Sequence, residues 1–172
     1  TARIPINEQS PDKPKTPYDL DKLHAERFLH LYGETFGLDY VIFRFATVYG
    51  PRQRTTEEWK PVVVEFADKL GKGEAPVIYW DGEQTRDFIF VEDLVEALVK
   101  AADSREASGE TMILGSGVET SINQLYALVS SELSVSIRPE HKPKVVGDIA
   151  RMRYDCERAA RILGWRATTP VE

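Results

Sequence analysis

Between residues 20 and 36 the apolar side chains fall at Leu20, Leu23, Phe28, Leu31, Tyr32 and Phe36, close to helical period, and Gly37 supplies a left-handed stop. A helix of about 17 residues is expected there. Residues 40–45, Tyr-Val-Ile-Phe-Arg-Phe, are too short and too rich in β-branched and aromatic side chains for an independent helix. They predict a buried strand, with a loop over residues 46–51. Trp59, Val62, Val63, Phe66 and Leu70 then repeat at three and four, Pro61 is tolerable in a first turn, and Gly71 stands past the end of this second helix. Residues 77–80 and 88–91 read as two short strands separated by the Asp81-Gly82 turn. A helix over 92–102 turns Leu94, Val95, Leu98 and Val99 inward, with Val91 ahead of it, and a strand follows over 111–115. Ser121 with Gln124 three residues on makes a capping-box start for a helix through about Ser131. The alternation over 135–138 predicts a strand, and Asp155 is expected to cap a last helix ending at Leu163-Gly164. Pro5, Pro11, Pro14 and Pro17 leave the first 17 residues as an extended loop. Strands and helices alternating at these lengths argue for an α/β fold, without an internal repeat or a clear domain boundary.

Composition narrows the function more than the fold. The 172 residues are 42% hydrophobic and 29% charged, which suits one ordinary globular domain and excludes collagenous or disordered classes. A formal net charge of −6 is the wrong sign for gripping phosphodiester backbones, so nucleic acid is not the expected partner. Cys156 is the only cysteine, which excludes an intrachain disulfide. His24, His30 and His141 lack metal-ligand spacing, so no metal is expected. No apolar run reaches the ~18 residues of a membrane span and the first ten residues carry no signal-peptide core, so the cytoplasm is the default expectation. The opening Thr-Ala-Arg, without Met, suggests a processed or excised piece.

The sharpest local chemistry is Tyr18-Asp-Leu-Asp-Lys22, because a four-residue offset stacks two side chains on one helical face. A free tyrosine keeps its proton to about pH 10, but an adjacent ammonium favours the phenolate and lowers that value. Tyr18 is then a candidate acid/base with Lys22 as its tuner; alone, the pair also suits an exposed helix surface.

Context decides between these readings. Thr16-Pro-Tyr18-x-x-x-Lys22 is followed in order by Arg44-Phe-Ala-Thr-Val-Tyr-Gly-Pro-Arg52-Gln53, then by Asp81-Gly-x-Gln-Thr-Arg86-Asp87-Phe-Ile-Phe-Val-x-Asp93, then by Gly147-Asp148 and Leu163-Gly-Trp165. From Ile4 to Glu172 this resembles the extended short-chain dehydrogenases/reductases, specifically the NAD-dependent nucleotide-sugar epimerases and dehydratases such as UDP-glucose 4-epimerase. In that family a G-x-x-G-x-x-G turn cradles the dinucleotide phosphates well before the catalytic Tyr. These 172 residues contain no such pattern; Gly71-Lys-Gly73 and Gly115-Ser-Gly117 do not match it. The resemblance therefore implies the C-terminal portion of such an enzyme: the distal part of a doubly wound, Rossmann-like sheet plus a small α/β substrate-binding lobe. Residues 1–57 and 92–133 would supply mostly the sheet side, and residues 58–91 and 134–172 mostly the lobe.

The resemblance also implies roles. Tyr18 would transfer the proton at a sugar hydroxyl while hydride moves to nicotinamide, and Lys22 would hold the nicotinamide ribose. Phe45 and Val48 would line the nicotinamide end of the pocket, with NAD as cofactor of the complete enzyme. Thr47, Tyr79, Arg86, Lys144 and Asp148 would bind the nucleotide sugar, a UDP-sugar by expectation, with Arg86 on the pyrophosphate. Three positions depart from the family pattern: Thr47 stands where Asn is usual, Trp80 where a small Gly is usual, and Lys144-Val145-Val146 where a second phosphate arginine is expected. The first helix would pair with a second copy in a homo-oligomer. Plainer readings stand beside these: Arg44 as a carboxylate partner, Arg86 and Asp87 as a local surface pair, Asp93 as a dipole-favoured helix start, and Trp165 as core. Rival functions are a nucleotide-sugar 4,6-dehydratase portion and a non-catalytic nucleotide-sugar-binding or interaction module.

Overall fold

The hydroxyl of Thr16 accepts the backbone N–H of Asp19 at 3.1 Å and the Asp19 carboxylate accepts the N–H of Thr16 at 3.1 Å, closing a capping box. Pro17 fits the first helical position, where no N–H is required. In the computed structural model, which describes residues 4–56, 60–145 and 147–171, helix α1 therefore spans Pro17–Phe36, three residues earlier than the apolar period alone predicts. It ends at Gly37 with φ +66°. None of its residues is buried. Polar contacts tie it to the body instead: Arg44 grips both oxygens of Glu26 at 2.9 and 2.6 Å, and His30 shares a 2.7 Å hydrogen bond with the Tyr40 hydroxyl. Arg44 is thus a carboxylate partner, with Asp12 also within 3.3 Å.

Strand β1 (Ile42–Phe45) runs straight into β2 (Thr47–Tyr49), within the stretch expected to be a loop. The two halves have different neighbours. β1 pairs in parallel with a later strand, Thr111–Leu114, whereas β2 pairs in parallel with Phe88–Phe90. The exchange occurs at Ala46: its N–H donates to Leu114 O at 2.8 Å, and the N–H of Thr47 donates to Asp87 O at 2.8 Å. Numbering the remaining elements in order gives α2 (Val62–Gly71), β3 (Val77–Tyr79), β4 (Thr85–Arg86), β5 (Phe88–Phe90), α3 (Val91–Ala102), β6 (Thr111–Leu114), β7 (Thr120–Ser121), α4 (Ile122–Glu132), β8 (Glu140–Lys142) and α5 (Glu157–Leu163). The expected α/β class holds, with three parallel strand pairs and one short antiparallel pair, β4 with β7, among the described residues.

Several expectations shift in detail. Trp59 lies outside the described residues, and Gly71 closes α2 from within. The strand expected over 135–138 is absent. Its Ile137 carbonyl accepts the Tyr126 hydroxyl, and Pro139 has no N–H to donate, so pairing begins only at Glu140, whose N–H reaches Pro76 O at 2.9 Å. Apolar alternation alone does not reveal which backbone groups find partners. Asp155 accepts the N–H of Glu157 at 2.9 Å, one residue before the helical cap at Cys156. The capping box at Ser121 and Gln124 forms as expected.

Two apolar clusters result. One gathers Ile89, Leu94, Met112, Leu114, Leu163 and Trp165 around the β1–β6 pair and its helices α3 and α5. The other gathers Phe66, Ile78, Phe88, Ile122 and Leu125 where α2 packs on α4. Trp165 is core, as expected: it is 1% exposed, and its indole N–H donates to the backbone oxygen of Asp93 at 2.9 Å. The buried Asp93 carboxylate accepts from the Thr168 hydroxyl and the Thr169 N–H, pinning the C-terminal tail to the start of α3.

Candidate functional site

Tyr18, Lys22, Ala25, Glu26 and Leu29 recur every three or four residues on α1, so they form one stripe that faces β1. Between stripe and strand lies an open cleft of about 670 Å³. The Lys22 ammonium stands 5.3 Å from the centre of the Tyr18 ring, and the tyrosine is 68% exposed at the mouth. Phe43 and Phe45 form the opposite wall, their rings inclined by only 20° with centres 6.4 Å apart.

A second cavity of about 500 Å³ brings together Thr47, Tyr79, Arg86 and Asp148 from four separate segments. Arg86 does not stand free there. It donates to Asp148 Oδ1 at 2.5 Å, to the Ile149 carbonyl at 2.8 Å and to its neighbour Thr85 O at 2.7 Å, fastening β4 to the turn at Gly147. Lys60, Glu65 and Gln84 line the same cavity, although no motif singled out the first two. Phe45 belongs to the first cavity and Thr47 to the second, and an extended chain separates their α-carbons by roughly 7 Å. The partner exchange at Ala46 is therefore the seam between the two.

Of the site residues expected from sequence, the fold brings Tyr18, Lys22 and Phe45 into the first cavity and Thr47, Tyr79, Arg86 and Asp148 into the second. Val48 lines neither; it packs against the apolar cluster under β1. Lys144 lines neither cavity; its ammonium stands 3.6 Å from the centre of the Trp80 ring. Trp80, which stands where the family usually carries Gly, adopts φ +61°, the left-handed region that glycine enters freely.

Asp87 is not half of a surface pair with Arg86. It is fully buried, and its two oxygens accept from the Ser116 N–H and hydroxyl at 2.8 Å each, the Gly117 N–H at 3.0 Å and the Tyr154 N–H at 3.1 Å. A Cβ on Gly115 would come within 3.1 Å of both Asp87 oxygens and of Ala46, so only glycine packs there without displacement. Burial holds the Asp87 carboxyl above its ordinary range, although every hydrogen bond it accepts favours the charged form. Burial, aided by the Asp87 charge, pushes the nearby Cys156 thiol up to about 12, so it is a structural group rather than a nucleophile. No cluster of metal-ligating side chains occurs among the described residues.

Parallel strand pairs with a Tyr-x-x-x-Lys helix on one side of the strand exchange, and on the other a cavity lined by two cations and two carboxylates, fit the short-chain dehydrogenase/reductase class. The chain belongs to the NAD dependent epimerase/dehydratase family, whose model matches residues 1–115. It is 36% identical over 162 residues to UDP-glucose 4-epimerase of Mycolicibacterium smegmatis, covering 94% of this chain and 51% of that protein. It superimposes with a TM-score of 0.88 and 33% identity on UDP-glucose 4-epimerase of Thermotoga maritima, solved with UDP-glucose, over 92% of this chain and 50% of that one. A TM-score of 0.89 at 26% identity relates it to UDP-glucuronic acid 4-epimerase of Bacillus cereus, solved with UDP-glucuronic acid and NAD, over 96% and 52%. The chain thus spans about half the length of the relatives it matches.

The donor set fits NAD at one end only. Tyr18, Lys22 and the flat wall of Phe43 and Phe45 suit a nicotinamide and its ribose, whereas the sequence offers no Gly-rich turn for the pyrophosphate.

Asp87→Asn keeps the shape but presents an NH₂ to N–H donors, leaving two of them unsatisfied. We expect a loss of about 2 kcal/mol at neutral pH, read by urea denaturation. Because the folded value of Asp87 is raised, its contribution to stability is full below the ordinary 3.8 and is lost as pH rises through the raised value, and that part of the pH profile should vanish in the variant.

Proposed function

We propose that this chain is the sugar-nucleotide-binding portion of an NAD-dependent nucleotide-sugar 4-epimerase acting on a UDP-sugar, and that it is inactive by itself. The observation that carries this reading is the seam at Ala46, which sets a Tyr/Lys cleft beside a cavity holding Thr47, Arg86 and Asp148. NAD supplies a hydride acceptor, and later donor, at the sugar C4. Tyr18 would accept the C4 hydroxyl proton and return it to the same oxygen. Lys22, 5.3 Å from the centre of the Tyr18 ring, holds the nicotinamide ribose. Phe43 and Phe45 exclude water from one wall. Across the seam, Tyr79 borders the base, Asp148 takes the nucleotide ribose and Arg86 takes the diphosphate, giving up part of its present hydrogen bonding to do so.

The test joins this chain to a Gly-rich dinucleotide-binding half and measures turnover of UDP-glucose to UDP-galactose with Tyr18→Phe. Turnover should fall by 10²–10⁴-fold with KM little changed, the range expected for loss of a general acid/base. Unchanged turnover eliminates Tyr18.

Self-association through α1 belongs to the same proposal. Leu20, Phe28 and Leu31 lie on the side of the helix away from the cleft, each at least 42% exposed. Light scattering at micromolar concentration should give a dimer, and Phe28→Glu with Leu31→Glu should give a monomer. A monomeric wild type contradicts this part.

A further inference from the structure

We propose that Arg44 is a positioning residue that keeps the Glu26 carboxylate occupied, and that this leaves the Lys22 ammonium free to stand beside Tyr18. The proposal rests on the Tyr/Lys reading above and goes beyond it in naming the side chain that decides where the lysine points.

Tyr18, Lys22, Glu26 and His30 follow one another at intervals of four, so they form a single row along α1. Lys22 has a rival partner on each side: the phenol one step before it and the carboxylate one step after. An ammonium and a carboxylate four residues apart on a helix attract each other. The lysine nevertheless takes the other side. Its nitrogen is 5.3 Å from the centre of the Tyr18 ring, and it makes no ion pair among the described residues.

Three carboxylates line the cleft, and each is engaged elsewhere. Asp19, three residues before Lys22, accepts the N–H groups of Lys15 and Thr16 at 3.1 Å each. Asp12 lies 3.3 Å from Arg44 and 3.6 Å from Arg27. Glu26 is held most completely: Arg44 Nε reaches its Oε1 at 2.9 Å and Nη2 reaches its Oε2 at 2.6 Å, so the planar fork takes both oxygens. A lysine at position 44, being a point charge, would hold only one. His30, the next member of the row, is turned to the Tyr40 hydroxyl at 2.7 Å.

Burial gives the rivalry its force. The Glu26 side chain is only 18% exposed, so without Arg44 its charge needs another cation, and Lys22 is the one stacked beside it on the helix. The lysine would then turn along α1 away from Tyr18 while the fold stayed intact. With the arginine and the Glu26 charge both removed, nothing draws Lys22 away and it returns to the phenol. A plain anchor for α1 behaves differently: either end of the fork is needed, and losing both restores nothing.

The experiment is NMR of the 172-residue chain, reading the ring-current displacement of the Lys22 ε-methylene protons by the Tyr18 ring. It compares wild type, Arg44→Met, Glu26→Gln, the double variant and Arg44→Lys, with thermal melts of each. The displacement should be present in wild type, largely lost in Arg44→Met, kept in Glu26→Gln and recovered in the double variant, with Arg44→Lys in between. In the enzyme completed by a dinucleotide-binding half, kcat should follow the same order, about tenfold lower in Arg44→Met with KM little changed and restored in the double variant. If Arg44→Met does not fold, Arg44→Lys with and without Glu26→Gln carries the same comparison. An unmoved Lys22 in Arg44→Met overturns the proposal. Equal losses in Arg44→Met and Glu26→Gln, without recovery in the double variant, make the fork an anchor for α1 and also overturn it. Turnover indifferent to Tyr18→Phe defeats the Tyr/Lys reading, and the role of Arg44 with it; turnover that depends on Tyr18 but ignores Arg44→Met defeats this proposal alone.

Discussion

The partner exchange at Ala46 is the constraint from which the rest of the site follows. A single extended run, residues 42–49, satisfies its backbone first against β6 and then against β5, and adjacent N–H groups at Ala46 and Thr47 commit to different strands. Such a split requires β6 to end where β5 begins. The buried Asp87 carboxylate ensures this by fixing the Gly115–Gly117 turn beyond β6 while its own backbone oxygen receives Thr47. One residue thus joins the two strand pairs, and the two cavities open on either side of that junction.

Different forces hold the two sides. The cleft beneath α1 is bordered by a helix with no buried residue, anchored by the Arg44–Glu26 fork and the His30–Tyr40 contact rather than by apolar packing. Its Tyr and Lys are therefore placed by helical spacing along a charged strut. The second cavity is built on the Phe66 and Ile78 cluster, and its polar wall is fastened by Arg86 to Asp148.

Much of this could be read in the residues. The helices over 20–36 and 92–102 announced themselves by period and the one from Ser121 by its capping box, because those signals are local. The ordered motifs around Tyr18, Arg44, Arg86 and Gly147 marked the family. What stayed hidden depended on partners distant in sequence. The pairing of Thr47 with Phe88, the two-residue β4–β7 ladder and the β8 strand in place of residues 135–138 are all decided by which carbonyl is already occupied. In the site, Lys144 was legible only as a cation near Gly147-Asp148. Its seat on Trp80 depends on a parallel register and a left-handed backbone, neither of which residue type specifies. Val48 lines neither cavity because alternation along the strand turns it toward the first apolar cluster, while its neighbour Thr47 faces the second cavity.

The central claim is that the cavities flanking Ala46 form one composite site with its sugar-nucleotide end on this chain. Amide chemical-shift mapping by NMR during a titration with UDP-glucose addresses it directly. The account predicts that the largest shifts fall on Thr47, Arg86, Gly147 and Asp148 and fade across Phe45 toward Lys22. Shifts concentrated instead around the separate groove of Val118, Leu128 and Val171, with Thr47 and Asp148 silent, would contradict it.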